Sequence, residues 1–224
     1  MDSKRCYLFE EASEKLFGKR TDGSYRVNKG LYFPLGEYDP ARDVVEVKEE
    51  TPEVIYHELM HRNIHYTMQE VGREEIPVGL NEALATLGSA MVQVYSENGK
   101  EVDPWEIFEQ VKEEAYNYAG WADPEEGPRQ RRALLYETAA GLALFALSLP
   151  WINSHNVYAQ LGSLALSTLG LTLWLSEAST LCVIKESQHA GRMLVQDMEE
   201  MRETYSFEEA YREVLKNADR YYLI

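Results

Sequence analysis

The sequence predicts a mainly α protein of the α+β class: a small N-terminal β-hairpin or sheet beside a histidine-bearing helix, then a helical C-terminal lobe. Three observations lead there. The β-favouring runs, 31–35 and 44–47, are short and fall early in the chain. Helix-start signals recur after them, at Thr51-Pro52, Asp103-Pro104 and Ser206-Phe207-Glu208-Glu209. Residues 138–176 contain no Asp, Glu, Lys or Arg, a composition that suits helices surrounded by other apolar groups.

Taken in order, apolar residues at helical spacing open the chain over 3–17. The turn-rich segment Glu37-Tyr38-Asp39-Pro40-Ala41-Arg42-Asp43 joins the two β-favouring runs into a hairpin. Thr51 caps a helix with Pro52 at its first position, expected to run to about Met68. Gly72 and Pro77 interrupt it, a second helix continues toward Tyr95, and Asn98-Gly99 turns the chain. A helix starting at Asp103-Pro104 is expected to reach Tyr118, and Gly127-Pro128 closes a loop. This places an N-terminal lobe over 1–75 and a helical lobe over 76–224, with one continuous domain as the alternative.

Pro150 and Asn153-Ser154 split the charge-free stretch into helices over 132–149 and 156–183. The expectation is a buried hairpin, the core of the C-terminal lobe, covered by amphipathic helices at 105–118, 188–201 and 207–215. Ser163, Ser167, Thr172 and Ser176 form a mildly polar stripe on it, and Glu137 and Glu177 bracket it. The alternative is a membrane hairpin, with Arg129, Arg131, Arg132 and Lys185 holding both ends on the cytoplasmic side. Ala139, Gly141, Gly162 and Gly170 permit close helix packing in either medium.

Composition excludes some functions. The net charge of −16, from 22 basic and 38 acidic residues, repels nucleic acid. Cys6 and Cys182 are too few for a disulfide framework or a zinc knuckle. The N-terminus carries no apolar core of signal-peptide type, so a cytoplasmic location is expected, with the membrane as the alternative.

The chemistry concentrates in His57-Glu58-Leu59-Met60-His61, an H-E-x-x-H string. On a helix, residues i and i+4 share a face, so two imidazoles can hold one Zn²⁺ while Glu58 reaches a water on that ion. A zinc enzyme needs a third protein ligand and an open position. Glu82, in Asn81-Glu82-Ala83, is placed to supply it from the next helix.

Together, His57-Glu58-x-x-His61 and Asn81-Glu82-Ala83 resemble the gluzincin metallopeptidases, thermolysin-like and aminopeptidase-like members of the zincin clan. The likeness covers roughly residues 30–95 and does not extend to the C-terminal half. It implies a zincin-like N-terminal lobe, Zn²⁺ held by His57, His61 and Glu82, and hydrolysis of peptide or protein substrates with Glu58 as general base. The edge strand of such sheets often aligns the substrate backbone. The resemblance also implies an oxyanion-stabilising donor from the C-terminal half, for which His155, His189, Tyr136 and Tyr158 stand as candidates.

Two departures bear on the subfamily. Thr86 stands where thermolysin-like enzymes carry an aspartate that orients the first histidine, so another acceptor must hold the second ring nitrogen of His57. Ala83 replaces the glycine of most aminopeptidases. Ile64 and Thr67 exclude the metzincin pattern and leave His65 as a rim or surface residue. Glu137 and Glu177 are other carboxylates in apolar helices; Glu177 would imitate the third ligand of membrane metalloproteases of the prenyl-protein-processing type. Glu82 is preferred because it is nearer in sequence and flanked by Asn81. The competing functions are a membrane-associated metalloprotease with the same ligands and a non-catalytic zincin-like binding or regulatory protein.

Overall fold

A computed structural model of the chain describes residues 3–30, 35–98, 102–117, 127–152 and 157–222; of residues 127–131, 176 and 177 it describes the backbone alone. The chain divides into two units, Met1–Tyr118 with Glu186–Ile224, and Ala119–Lys185. The predicted class stands: mainly helical, with a small N-terminal sheet.

In the first unit, strands β1 (Ser3–Arg5), β2 (Ser24–Val27), β3 (Gly36–Asp39) and β4 (Val44–Val47) form one mixed sheet in the order β1-β2-β4-β3. The expected hairpin is β3–β4, antiparallel, with Tyr38 opposite Val45 and Asp39 opposite Val44. Its first strand begins at Gly36; residues 31–34 of the predicted run lie outside the described residues. Asp39 holds the turn by accepting from the backbone N–H groups of Ala41 and Arg42. The helix expected from residue 3 starts later, as α1 (Tyr7–Phe17), because 3–5 pair as a strand with β2. That pairing is non-local, and neither three-residue β1 nor charged β2 announces itself by composition.

Helix α2 (Pro52–Glu70) starts as predicted, with the Thr51 side chain accepting from Val54 N–H at 3.4 Å. It packs on α3 (Val78–Asn98) through a buried seam that includes Leu59, Met60 and Ile64 of α2 and Leu80, Leu84 and Met91 of α3. The predicted 104–118 helix is α4 (Pro104–Val111), which tightens into a 3-10 turn over Lys112–Tyr116; Tyr118 lies outside the described residues.

Arg62, one residue after the second motif histidine, ties α2 to the sheet. Its guanidinium is buried and donates to the carbonyls of Asp22 (2.8 Å), Ser24 (2.9 Å) and Asp43 (2.8 Å) and to Asp43 Oδ1 (3.1 Å). Asp43 has φ 50°, an uncommon left-handed conformation for a residue other than glycine. Tyr66 of α2 and Tyr38 of β3 donate to the same carboxylate, so Arg62 and Tyr66 fix the end of the hairpin against α2.

Helix α5 (Gly127–Ser148) leads into a 3-10 turn, Leu149–Trp151, and α6 (Val157–Met201) runs unbroken where two helices were expected. Asn153-Ser154 lies outside the described residues. The capping box predicted for α7 (Phe207–Lys216) is present in both halves.

Among the described residues, the segments expected to cover the apolar hairpin bury their stripes in the first unit. The stripe of α7 packs elsewhere: Phe207 meets the Trp105 ring at 5.0 Å, and Tyr211 meets Phe17 at 5.1 Å and donates to Asn63 Oδ1. Phe108 and Ala115, and Ala190, Leu194 and Met198 of α6, join the same core around α1–α3. The three amphipathic segments thus bury their apolar faces in the first unit, and most leucines of 138–176 are exposed, as Leu147 (72%) and Leu161 (59%) illustrate. Helices α5 and α6 are long and apolar enough to cross a membrane.

Candidate metal centre

His57 and His61 lie one turn apart on α2, and Glu82 sits in the second turn of α3 facing them. His57 Nε2 is 3.3 Å from Glu82 Oε2 and 3.2 Å from His61 Nε2, and His61 Nε2 is 3.7 Å from Glu82 Oε2. Three ligands of a tetrahedral zinc ion at ~2.0–2.1 Å stand roughly 3.3–3.4 Å apart. The triangle has that size, and two imidazoles with one carboxylate are a donor set that could hold such an ion.

The electrostatics suit ligation. Burial, together with the neighbouring His57, pulls His61 down to about 4, so its imidazole is neutral at pH 7. Burial works against charge on His57 too, but the Glu82 hydrogen bond and carboxylate outweigh it and raise His57 above its ordinary value. Burial pushes Glu82 up, while the His57 hydrogen bond and the two imidazoles bring it to a net value below the usual carboxylate range. Glu58 is different. Burial pushes it up to about 7, with the Glu82 and Glu37 carboxylates adding and His57 and the Tyr38 backbone N–H opposing.

The site opens on a cleft of about 560 Å³ lined by Glu58, Tyr38, His65, Ile76 and Asn81 among others. Strand β3 forms one wall. Gly36 is a position sequence reading missed: a Cβ there would come within 2.5 Å of Glu58 Cγ, so only glycine lets the carboxylate lie against the strand. His65 takes the rim position expected of it, its ring 5.9 Å from Tyr38 and bonded to Gln69 at 2.9 Å.

Asn81, read from sequence only as the flank of Glu82, has its own part. Its Oδ1 accepts from His61 Nδ1 at 3.1 Å, which leaves the Nε2 lone pair aimed at the triangle. The signal was visible as an adjacent polar residue, but only the packing of α3 on α2 puts it in reach. Asn81→Ala is expected to leave the fold intact and weaken zinc binding by ~10–100-fold, the usual cost of losing such a partner. Competition titration against a chelator of known affinity measures this, and unchanged affinity would show that Asn81 does not orient the ring.

Of the four candidates for an oxyanion donor, one falls in the unit that holds the site. His189 lies on α6 in the first unit and is not among the residues lining the cleft. Tyr136 and Tyr158 belong to the second unit, and His155 lies outside the described residues. Glu137 and Glu177, the other ligand candidates, also belong to the second unit; the Glu177 side chain is outside the description. Comparison of the chain with family models, with curated proteins and with solved structures finds no match.

Proposed function

We propose that the chain is a zinc-dependent metallopeptidase of gluzincin type. The observation that carries this reading is the triangle of His57 Nε2, His61 Nε2 and Glu82 Oε2, with the Glu58 carboxyl beside it in an open cleft. When bound, Zn²⁺ supplies Lewis acidity that polarises a substrate carbonyl and acidifies water.

The residues divide the remaining work. Glu58 takes the proton of the attacking water and returns it to the leaving amine; a value near 7 suits both directions of transfer. Asn81 keeps His61 in the ligating tautomer. Strand β3, outermost in its sheet, offers its backbone to an extended peptide. Glu37, Glu74 and Glu75 stand around the cleft and, among the described residues, no Lys or Arg lines it, which favours substrate segments carrying basic side chains. The unit that holds the site is assigned to the cytoplasm. The exposed leucines of α5 and α6 favour the variant of this reading in which that unit works beside a membrane.

Digestion of a peptide library by the zinc-loaded full chain tests the proposal. Cleavage is expected near Lys or Arg, abolished by a chelator and restored by Zn²⁺. Tightly bound zinc with no peptide cleaved would point instead to a non-catalytic binding or regulatory role. Failure to bind zinc at all would remove the reading.

A further inference from the structure

The second unit inverts the usual polarity of a helical protein. Along α6, at 100° per residue, the exposed Leu161, Leu164, Leu166, Leu169, Leu171 and Leu173 sweep roughly 220° of the circumference. The remaining arc, which is buried, carries Ser163, Ser167 and Gly170. On α5 the buried positions are Gly141 and Ser148, and Leu135, Leu142 and Leu147 are exposed.

The seam between the two helices is small and hydrogen-bonded. A Cβ on Gly141 would come within 2.8 Å of Trp174 N, and one on Gly170 within 2.6 Å of Phe145 N. The hydroxyls are satisfied within the pair: Ser163 Oγ donates to the Ser148 carbonyl, Ser148 Oγ donates to the Phe145 carbonyl, and Ser167 Oγ bonds Ser148 Oγ. The mildly polar stripe read from the sequence is therefore the helix contact itself, for Ser163 and Ser167; Thr172 is exposed, and the Ser176 side chain lies outside the description. Of the four small residues, Gly141 and Gly170 make the contact, while Ala139 and Gly162 are exposed.

The dimensions match a bilayer. Residues 157–176 of α6 rise about 30 Å at 1.5 Å per residue, the thickness of a hydrocarbon core. The pairing of Gly141 with Gly170 and Trp174, and of Ser148 with Ser163 and Ser167, sets a register that brings position 177 level with Glu137. The carboxylate-bearing positions of both helices thus share one boundary. Tyr136 stands exposed at that boundary, and Trp151 (61%) and Tyr158 (86%) stand exposed at the opposite end. Amphipathic aromatics at both limits of an apolar span are the pattern of membrane interfaces.

We infer that α5 and α6 form a hairpin inserted across a lipid bilayer, with Arg129, Arg131, Arg132 and Lys185 at its two ends on the cytoplasmic side. A protein partner or a second copy would cover one side of such a pair. Exposed positions, mainly leucine and alanine, run most of the way round both helices, and only a bulk apolar solvent meets them all. Water is excluded by the same fact, since it would bathe the leucines and leave the serines paired. The Lys and Arg residues set the orientation, and the nearby Asp123, Glu125 and Glu126 count little in that balance. The inference does not depend on the metal site.

The test uses the full chain expressed in bacteria. Flotation of membranes on a density gradient separates inserted from aggregated protein, and the floated fraction is washed with high salt and then alkaline carbonate. The chain is expected to float, resist both washes and leave only with detergent. A detergent-free soluble monomer or dimer, a sinking aggregate, or release by the washes would overturn the inference. Orientation is read by a membrane-impermeant thiol reagent on intact spheroplasts. Val157→Cys, in a chain with Cys6→Ser and Cys182→Ser, is expected to label before lysis, and native Cys182 (with Cys6→Ser) only after it. Labelling of Val157→Cys only after lysis would overturn the crossing even in a wash-resistant protein. Leu166→Asp with Leu169→Asp is expected to lose the floated fraction, and Ser163→Ala, on the seam, to keep it.

Discussion

Glu58→Gln is expected to leave the chain folded and able to bind zinc, and to reduce peptide hydrolysis by on the order of 10²-fold or more. Glutamine fills the same space against Gly36 and β3 but cannot accept a proton from water. The burial that pushes Glu58 up to about 7 also makes the neutral substitute easy to accommodate, so stability should not fall. The check is hydrolysis by the zinc-loaded variant beside its thermal melt and metal content. A variant with full metal and nearly full activity would show that another group removes the proton.

Loss of any of the three ligands is expected to take zinc from about one ion per chain to almost none at micromolar protein. The effect should exceed the ~10–100-fold cost of removing an outer partner such as Asn81. His61→Ala is the sharpest case, because His61 is half-buried and neutral and its lone pair is already directed by Asn81. Glu82→Ala also removes the carboxylate that raises His57, so His57 should titrate at lower pH in that variant when metal-free. Elemental analysis after gel filtration, with the His57 shift followed by NMR, measures both. Zinc retained at full stoichiometry by Glu82→Ala would move the third ligand elsewhere.

The signals that were legible in the chain were local ones. Thr51-Pro52, Asp103-Pro104 and the Ser206–Glu209 capping box each begin a helix where expected, because a cap satisfies orphan N–H groups using residues only two or three positions away. The spacing of His57, Glu58 and His61 is likewise a property of one helix. Strands β1 and β2 escaped reading because their stability lies in partners twenty residues off. Asn81, Gly36 and Arg62 escaped for the same reason. Nothing in their neighbours states that Asn81 will reach His61, that Gly36 will lie under Glu58, or that Arg62 will bind three carbonyls of the sheet.

The apolar stretch shows where sequence reasoning turns on an assumption about partners. Composition indicated that 138–176 would be mostly helical and apolar. It did not determine what would surround it, and the amphipathic helices at 105–118, 188–201 and 207–215 were assigned to it because they had apolar stripes to bury. The tertiary structure assigns those stripes to Phe17 and the α1–α3 core. The sequence by itself indicated the helical class and the helix starts at Thr51, Asp103 and Ser206, since those signals depend on contacts within a few residues. Only the tertiary structure brings Glu82 within 3.3 Å of His57 and Asn81 within 3.1 Å of His61, and turns serine rather than leucine inward between α5 and α6. Those outcomes depend on which surfaces meet, and burial energy, being non-directional, does not name its partner in advance.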